Sequence, residues 1–284
     1  MEGDREMRLA TVRTAEGTSA ARLDGDHFNL LGFDDVGSLL ASGTPAAGAE
    51  VIGVVPSEEA ILAPVVPRPG KIICLGLNYR AHILESGREL PQYPTLFAKF
   101  SEALIGPTDD IELPTAQVSE QVDWEAELVV VVGQTVRHAD AHEAQAAIAG
   151  YTIMNDVTVR DWQRRTLEWL QGKTFEGTTP LGPVLVTSDE LGDASGLQLS
   201  CRVNGEVMQE ATTSDLLFTP VDIITYASTI LTLRPGDIIA TGTPGGVGFA
   251  RSPQVFLRAG DVVETAIEGI GTMRNMCSAR EGGK

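Results

Sequence analysis

Apolar positions in this chain come in short runs cut off by Gly and Pro, a pattern that predicts strands more often than helices. The clearest run is Leu128-Val129-Val130-Val131-Val132, closed by Gly133. Its β-branched, uninterrupted character predicts a strand buried on both faces. Similar blocks recur at 71–76, 182–186, 197–203, 237–240 and 261–267. Helical patterning is confined to 140–149, 157–170 and 219–231, the last with Pro220 suited to a first turn. Before these, short apolar patches alternate with turn signals at Gly17, Asp24-Gly25-Asp26 and Gly37. Residues 1–66 therefore read as a small β-rich N-terminal domain. Pro64, Pro67, Pro69 and Gly70 mark a linker to a larger domain over 70–280. Strands do not alternate regularly with helices, which argues against a doubly wound parallel sheet. The expected class is α+β and β-rich: a mixed β-sandwich roll with a few covering helices.

At 284 residues, 43% hydrophobic and 21% charged, the chain is an ordinary globular protein able to bury a large core. Its net charge of −18 argues against nucleic acid, whose phosphates need clustered Lys and Arg. No apolar run has membrane-spanning length, and the start lacks the basic-then-apolar design of a signal peptide. These features predict a soluble, cytoplasmic protein with no membrane partner. Cys74, Cys201 and Cys277 are odd in number and far apart, as expected of buried, inert thiols.

The candidate chemistry starts just ahead of the valine run, at Asp123-Trp124-Glu125-Ala126-Glu127. On a strand, Glu125 and Glu127 point to the same side, with Asp123 behind them. Two carboxylates together at a buried strand end call for a divalent cation or a raised pKa. The alternative is a strand end that surfaces into water. In Asn78-Tyr79-Arg80-Ala81-His82-Ile83-Leu84-Glu85, His82 and Glu85 are neighbours on one helical turn. They make either a surface ion pair or a base whose tautomer the carboxylate fixes. Asp156, Arg160 and Gln163 lie along one stripe and read as a capped amphipathic helix. Lys173 sits among turn-forming residues rather than on a solvated face. The glycine-rich segment Thr241-Gly242-Thr243-Pro244-Gly245-Gly246 follows a strand but lacks the spacing of a phosphate loop. It is either a tight hairpin turn or a place where backbone N–H groups approach a carboxylate.

Taken in order, these segments resemble the fumarylacetoacetate hydrolase superfamily. The resemblance covers residues 70–277 and includes Phe97-Ala98-Lys99, Gly172-Lys173, Pro180-Leu181-Gly182-Pro183 and Thr241-Gly242-Thr243-Pro244. It implies the family's β-rich roll as a homodimer, in the short acylpyruvase, isomerase and decarboxylase branch. By position, Glu125, Glu127 and Asp156 would hold one divalent cation, most often Mg²⁺, with Mn²⁺ or Ca²⁺ as alternatives. His82 and Glu85 would activate water, while Arg160, Gln163 and Lys173 would stabilise developing negative charge. Tyr79, Gly242 and Thr243 would contact a small 2-oxo or diketo acid. The implied reaction is metal-assisted hydrolysis of a C–C bond in an acylpyruvate, giving a 2-oxo acid and a carboxylic acid. The alternative keeps the same site for oxaloacetate decarboxylation or tautomerisation, or for isomerisation of 2-hydroxyhepta-2,4-diene-1,7-dioate.

Overall fold

The computed structural model describes residues 7–85 and 87–279; the side chain of Glu85 lies outside what is described. The chain opens with β1 (Arg8–Thr14), β2 (Gly17–Asp24), β3 (His27–Leu31), α1 (Val36–Ser42) and β4 (Val51–Pro56). It continues through β5 (Ile72–Gly76), α2 (Arg80–Glu85), β6 (Thr95–Lys99), β7 (Leu104–Ile105), β8 (Ile111–Leu113) and β9 (Val122–Asp123). Next come β10 (Ala126–Val132), α3 (Ala141–Ala146), β11 (Ile148–Asn155), β12 (Thr158–Val159), α4 (Arg160–Gln163) and α5 (Leu170–Lys173). β13 (Thr179–Thr187), α6 (Ser188–Leu191), β14 (Gln198–Val203) and β15 (Glu206–Thr212) follow. The described chain closes with α7 (Pro220–Ile230), β16 (Ile238–Ala240), β17 (Val262–Ile267) and β18 (Gly271–Ala279).

The expected α+β, strand-rich architecture is present. A large mixed sheet runs β4-β3-β2-β1-β13-β11-β10-β16-β5-β6, and a smaller one runs β15-β14-β17-β18-β8. β10 is central, and all seven of its residues are buried. Its alternation feeds two cores. Leu128, Val130 and Val132 pack towards Leu199, Cys201 and Val263 of the smaller sheet. Val129 and Val131 pack towards Leu31, Val36 and Leu39. Burying a Val or Leu stabilises by about 1.5–3 kcal/mol, so this strand is a firm base for the carboxylates at its start. The N-terminal strands do not close into a sheet of their own. β1 pairs with β13, placing Arg8 opposite Val186 and Leu9 opposite Leu185, so β1–β4 extend the large sheet.

The single helix expected over 157–170 is replaced by β12 and two four-residue helices, α4 and α5. Thr158 and Val159 pair with Asp123 and Val122, and this cross-strand pairing overrides the helical stripe. Asp156 is therefore not an N-cap; Val159 takes that position, without a side-chain cap. The helix over 219–231 forms as α7, where Thr219 and Asp222 make a capping box. Cys74, Cys201 and Cys277 are buried free thiols, as expected. Among the described residues, no helix is long and apolar enough to cross a membrane.

Candidate metal centre

Glu125, Glu127 and Asp156 converge, with one carboxylate oxygen from each lying within 4.8 Å of the others. Glu127 and Asp156 are fully buried and Glu125 is 7% exposed, so the strand end does not surface into water. β10 and β11 bring them together. Ala126 pairs with Asn155, and the Asp156 N–H donates to the Glu125 carbonyl at 2.8 Å. The Glu125 N–H in turn donates to Asn155 Oδ1 at 3.0 Å.

Three buried cations face these carboxylates. Lys173 Nζ lies 2.6 Å from Glu125 Oε2 and 2.8 Å from Asp156 Oδ2. Lys99 Nζ lies 2.7 Å from Asp156 Oδ1. Arg160 reaches Glu125 Oε1 through Nη1 at 2.7 Å and Asp123 Oδ2 through Nε at 2.8 Å. The cluster thus holds four buried carboxylates (Asp123, Glu125, Glu127, Asp156) against three buried cations (Lys99, Arg160, Lys173), one negative charge in excess.

That excess falls on Glu127. Its Oε2 accepts the Gly242 N–H at 2.8 Å, while its buried Oε1 has no hydrogen-bond partner among the described residues. Burial, then repulsion from Asp156 and Glu125, pushes its pKa well above the ordinary carboxylate range. Asp156 goes the other way: burial alone would raise it, but Lys173 and Lys99 outweigh burial and hold it low. An orphaned oxygen, a surplus negative charge and an all-oxygen donor set fit a hard divalent cation.

A pH dependence follows from Glu127, whose folded pKa is raised. In metal-free protein its protonated form stabilises the fold at low pH, and this contribution is lost as pH climbs from about 4.5 through the raised value. Metal binding must displace that proton. Metal affinity is therefore expected to rise with pH, by about tenfold per unit until Glu127 ionises unaided. Calorimetric titration with Mg²⁺ across the mildly acidic to neutral range measures this slope.

The glycine-rich segment serves the carboxylates. Gly242 has φ +96°, and a Cβ there would sit 3.0 Å from Asn78 Cβ and 3.2 Å from the Leu75 carbonyl. Its N–H is thereby aimed at Glu127. Asn78 fixes the same turn, donating through Nδ2 to the Thr241 carbonyl at 2.8 Å. At the far end of the segment, Asp123 accepts the N–H groups of Gly248 at 2.7 Å and Phe249 at 2.9 Å.

A cavity of about 350 Å³ opens beside Glu125. His82, Arg160, Gln163, Lys173 and Thr243 all line it. Gln163 Oε1 accepts from Arg160 Nη1 at 3.1 Å, and Thr243 Oγ1 donates to the Ala126 carbonyl at 3.0 Å. Tyr79 does not line the cavity; its ring is fully buried in the apolar core. Glu127 and Asp156 lie behind Glu125 and Lys173, off the cavity wall. Phe97 and Trp169 form part of the wall, edge to face at 5.4 Å. Lys99 and Asp123 carry no assigned role in the sequence, and nothing local marks Arg88 or Arg164, both on the cavity wall.

Residues 71–277 match the protein-family model for the fumarylacetoacetate (FAA) hydrolase C-terminal domain. The chain belongs to this family. It is 45% identical over 249 residues to bovine (Bos taurus) mitochondrial oxaloacetate tautomerase FAHD2A, covering 87% of this chain and 78% of the relative. The human (Homo sapiens) FAHD2A protein, named likewise, is 46% identical over 77% of this chain and 69% of its own length. Among solved structures, fumarylacetoacetate hydrolase from Exiguobacterium antarcticum superposes with TM-score 0.86 at 33% identity, covering 96% of this chain and all of that one. A 2-hydroxyhepta-2,4-diene-1,7-dioate isomerase from Mycobacterium marinum superposes with TM-score 0.81 at 31% identity, covering 97% of this chain and all of that one.

Proposed function

We propose that this protein is a divalent-metal-dependent tautomerase of a 2-oxo dicarboxylate of the oxaloacetate type, interconverting enol and keto forms. The observation that carries this reading is the 45% identity, over 87% of the chain, to an oxaloacetate tautomerase. The cavity wall supports it: Arg88, Arg160, Arg164 and Lys173 line it against the single carboxylate of Glu125. In a chain of net charge −18, such a local excess of cations suits a dianion. Hydrolysis of acylpyruvate-type diketo acids, fumarylpyruvate among them, is the reading the sequence alone placed first; a simple acylpyruvate has only one carboxylate and gains less from this wall.

The chain's own groups suffice to describe the proton transfer. Arg160 Nη2 is buried without a partner among the described residues and is free to donate to the substrate's carboxylate or 2-oxo oxygen. Burial alone would neutralise Lys173, but Asp156 and Glu125 outweigh it and keep the ammonium charged. Lys173 is therefore a stabiliser of enolate charge and not a base. His82 carries the imidazole on the cavity wall and moves the proton between the enol oxygen and the adjacent carbon. Phe97 and Trp169 supply an apolar part of the wall. A bound divalent cation, Mg²⁺ by the oxygen-only donor set, would be held by Glu125, Glu127 and Asp156 and would supply Lewis-acid stabilisation of the developing charge.

A second reading, dienedioate isomerisation, draws on the M. marinum neighbour and also moves a proton along a 2-oxo dicarboxylate. Proton NMR of oxaloacetate, the dienedioate and an acylpyruvate, each with Mg²⁺ and with EDTA, separates these reactions. Metal-dependent enol–keto exchange of oxaloacetate without new products is expected. Pyruvate plus a carboxylic acid from the acylpyruvate, with oxaloacetate untouched, would return the assignment to hydrolysis.

A further inference from the structure

We infer that Arg164 reads the second carboxylate of the substrate and so sets the preference of this site for 2-oxo dicarboxylates over 2-oxo monocarboxylates. This rests on the reading of the cavity as a 2-oxo acid site. Arg164 directly follows α4, and its N–H donates to the Arg160 carbonyl at 3.3 Å. The two arginines are thus one helical turn apart, about 6 Å along the axis, and both line the cavity. Arg160 is committed to the floor, against Glu125 and Asp123. Arg164 forms no ion pair among the described residues; its guanidinium lies on the ring of Phe249, 3.7 Å from the centroid.

That stacking restrains the guanidinium on the ring face, and a guanidinium held this way keeps its in-plane N–H donors available for a ligand in the cavity it lines. An edge-on guanidinium matches a carboxylate in bidentate geometry. The platform is itself anchored. The Phe249 N–H donates to Asp123 Oδ2, the same oxygen that receives Arg160 Nε. Gly248 permits this approach, since a Cβ there would collide with the Val255 carbonyl and crowd Asp123 Oδ1. One buried carboxylate therefore holds Arg160 directly and anchors the ring on which Arg164 lies. The neighbouring Arg165 makes the contrast: it stacks on Trp162 at 3.5 Å but does not line the cavity.

Oxaloacetate and pyruvate differ by the one carboxylate at issue, which makes them a matched pair of probes. Calorimetry on the Mg²⁺-loaded protein, Arg164→Met and Arg164→Lys measures the ratio of the two affinities. Arg164→Met is expected to lower the oxaloacetate-over-pyruvate preference at least tenfold, with Arg164→Lys recovering part of it and thermal melts of all three alike. In turnover, the loss should appear in KM for enol-oxaloacetate more than in kcat, and should shrink as salt is raised. An unchanged ratio in Arg164→Met, or equal weakening towards both ligands, would overturn the assignment. If the wild-type protein prefers oxaloacetate but does not interconvert its tautomers, the tautomerase reading fails while Arg164 keeps its role. If turnover is present and the ratio survives the substitution, the reverse holds.

Discussion

Glu127→Gln is expected to abolish metal-dependent activity, lowering kcat/KM for enol-oxaloacetate by at least about 10³-fold, without unfolding the protein. The loss corresponds to the several kcal/mol that a Lewis acid contributes to charge stabilisation, at about 1.36 kcal/mol per tenfold. The fold should tolerate the change. Glu127 is the carboxylate that the site least stabilises as an anion, with one oxygen unpartnered and two carboxylates beside it. A Gln amide can still accept the Gly242 N–H through its oxygen. In EDTA the variant should melt at or above the wild-type temperature. With Mg²⁺ at a hundredfold excess over its Kd, wild type should gain about 2.7 kcal/mol and the variant nothing. Differential scanning calorimetry with and without Mg²⁺ makes the comparison. A variant that still gains stability from Mg²⁺ would remove Glu127 from the ligand set.

Asp156→Ala should behave in the opposite way, failing in stability as well as activity. Both Asp156 oxygens are occupied, one by Lys99 and the other by Lys173. Removing the carboxylate leaves two buried ammonium groups short of counter-charge. Breaking a buried pair from one side typically costs about 3–5 kcal/mol. A lower denaturation midpoint in urea, already present in EDTA, is the expected result. The two variants together separate ligand loss from structural loss. Equal stability of Asp156→Ala and wild type would mean that the lysines find other partners.

The site's carboxylates are more legible in the sequence than their surroundings. The run from Leu128 to Val132 declares a buried strand by composition alone, and Glu125 and Glu127 then follow by alternation. Helix α7 was legible because Thr219, Pro220 and Asp222 are all local signals. The segment from Val157 to Leu170 was misread because its helical stripe competes with a pairing to Val122 and Asp123, more than thirty residues away. Helix α1 was hidden by Gly37, which reads as a turn. A Cβ at that position would lie 2.9 Å from Val66 Cγ1, so glycine serves close packing inside the helix. The roles of Lys99 and Asp123 depend wholly on distant partners. Lys99 ends a strand and could as well have been solvated, until the fold sets it 2.7 Å from Asp156. Arg164 lies next to the very similar Arg165, and only the positions of Phe249 and Trp162 tell the two apart.

The most direct test follows the ultraviolet absorbance of enol-oxaloacetate by stopped flow, using metal-stripped wild-type protein and Glu127→Gln, each with and without Mg²⁺. Wild type with Mg²⁺ is expected to accelerate enol decay, any other combination little, with no pyruvate at the end of the trace. Equal acceleration in EDTA, or by Glu127→Gln, would contradict the metal-dependent tautomerase.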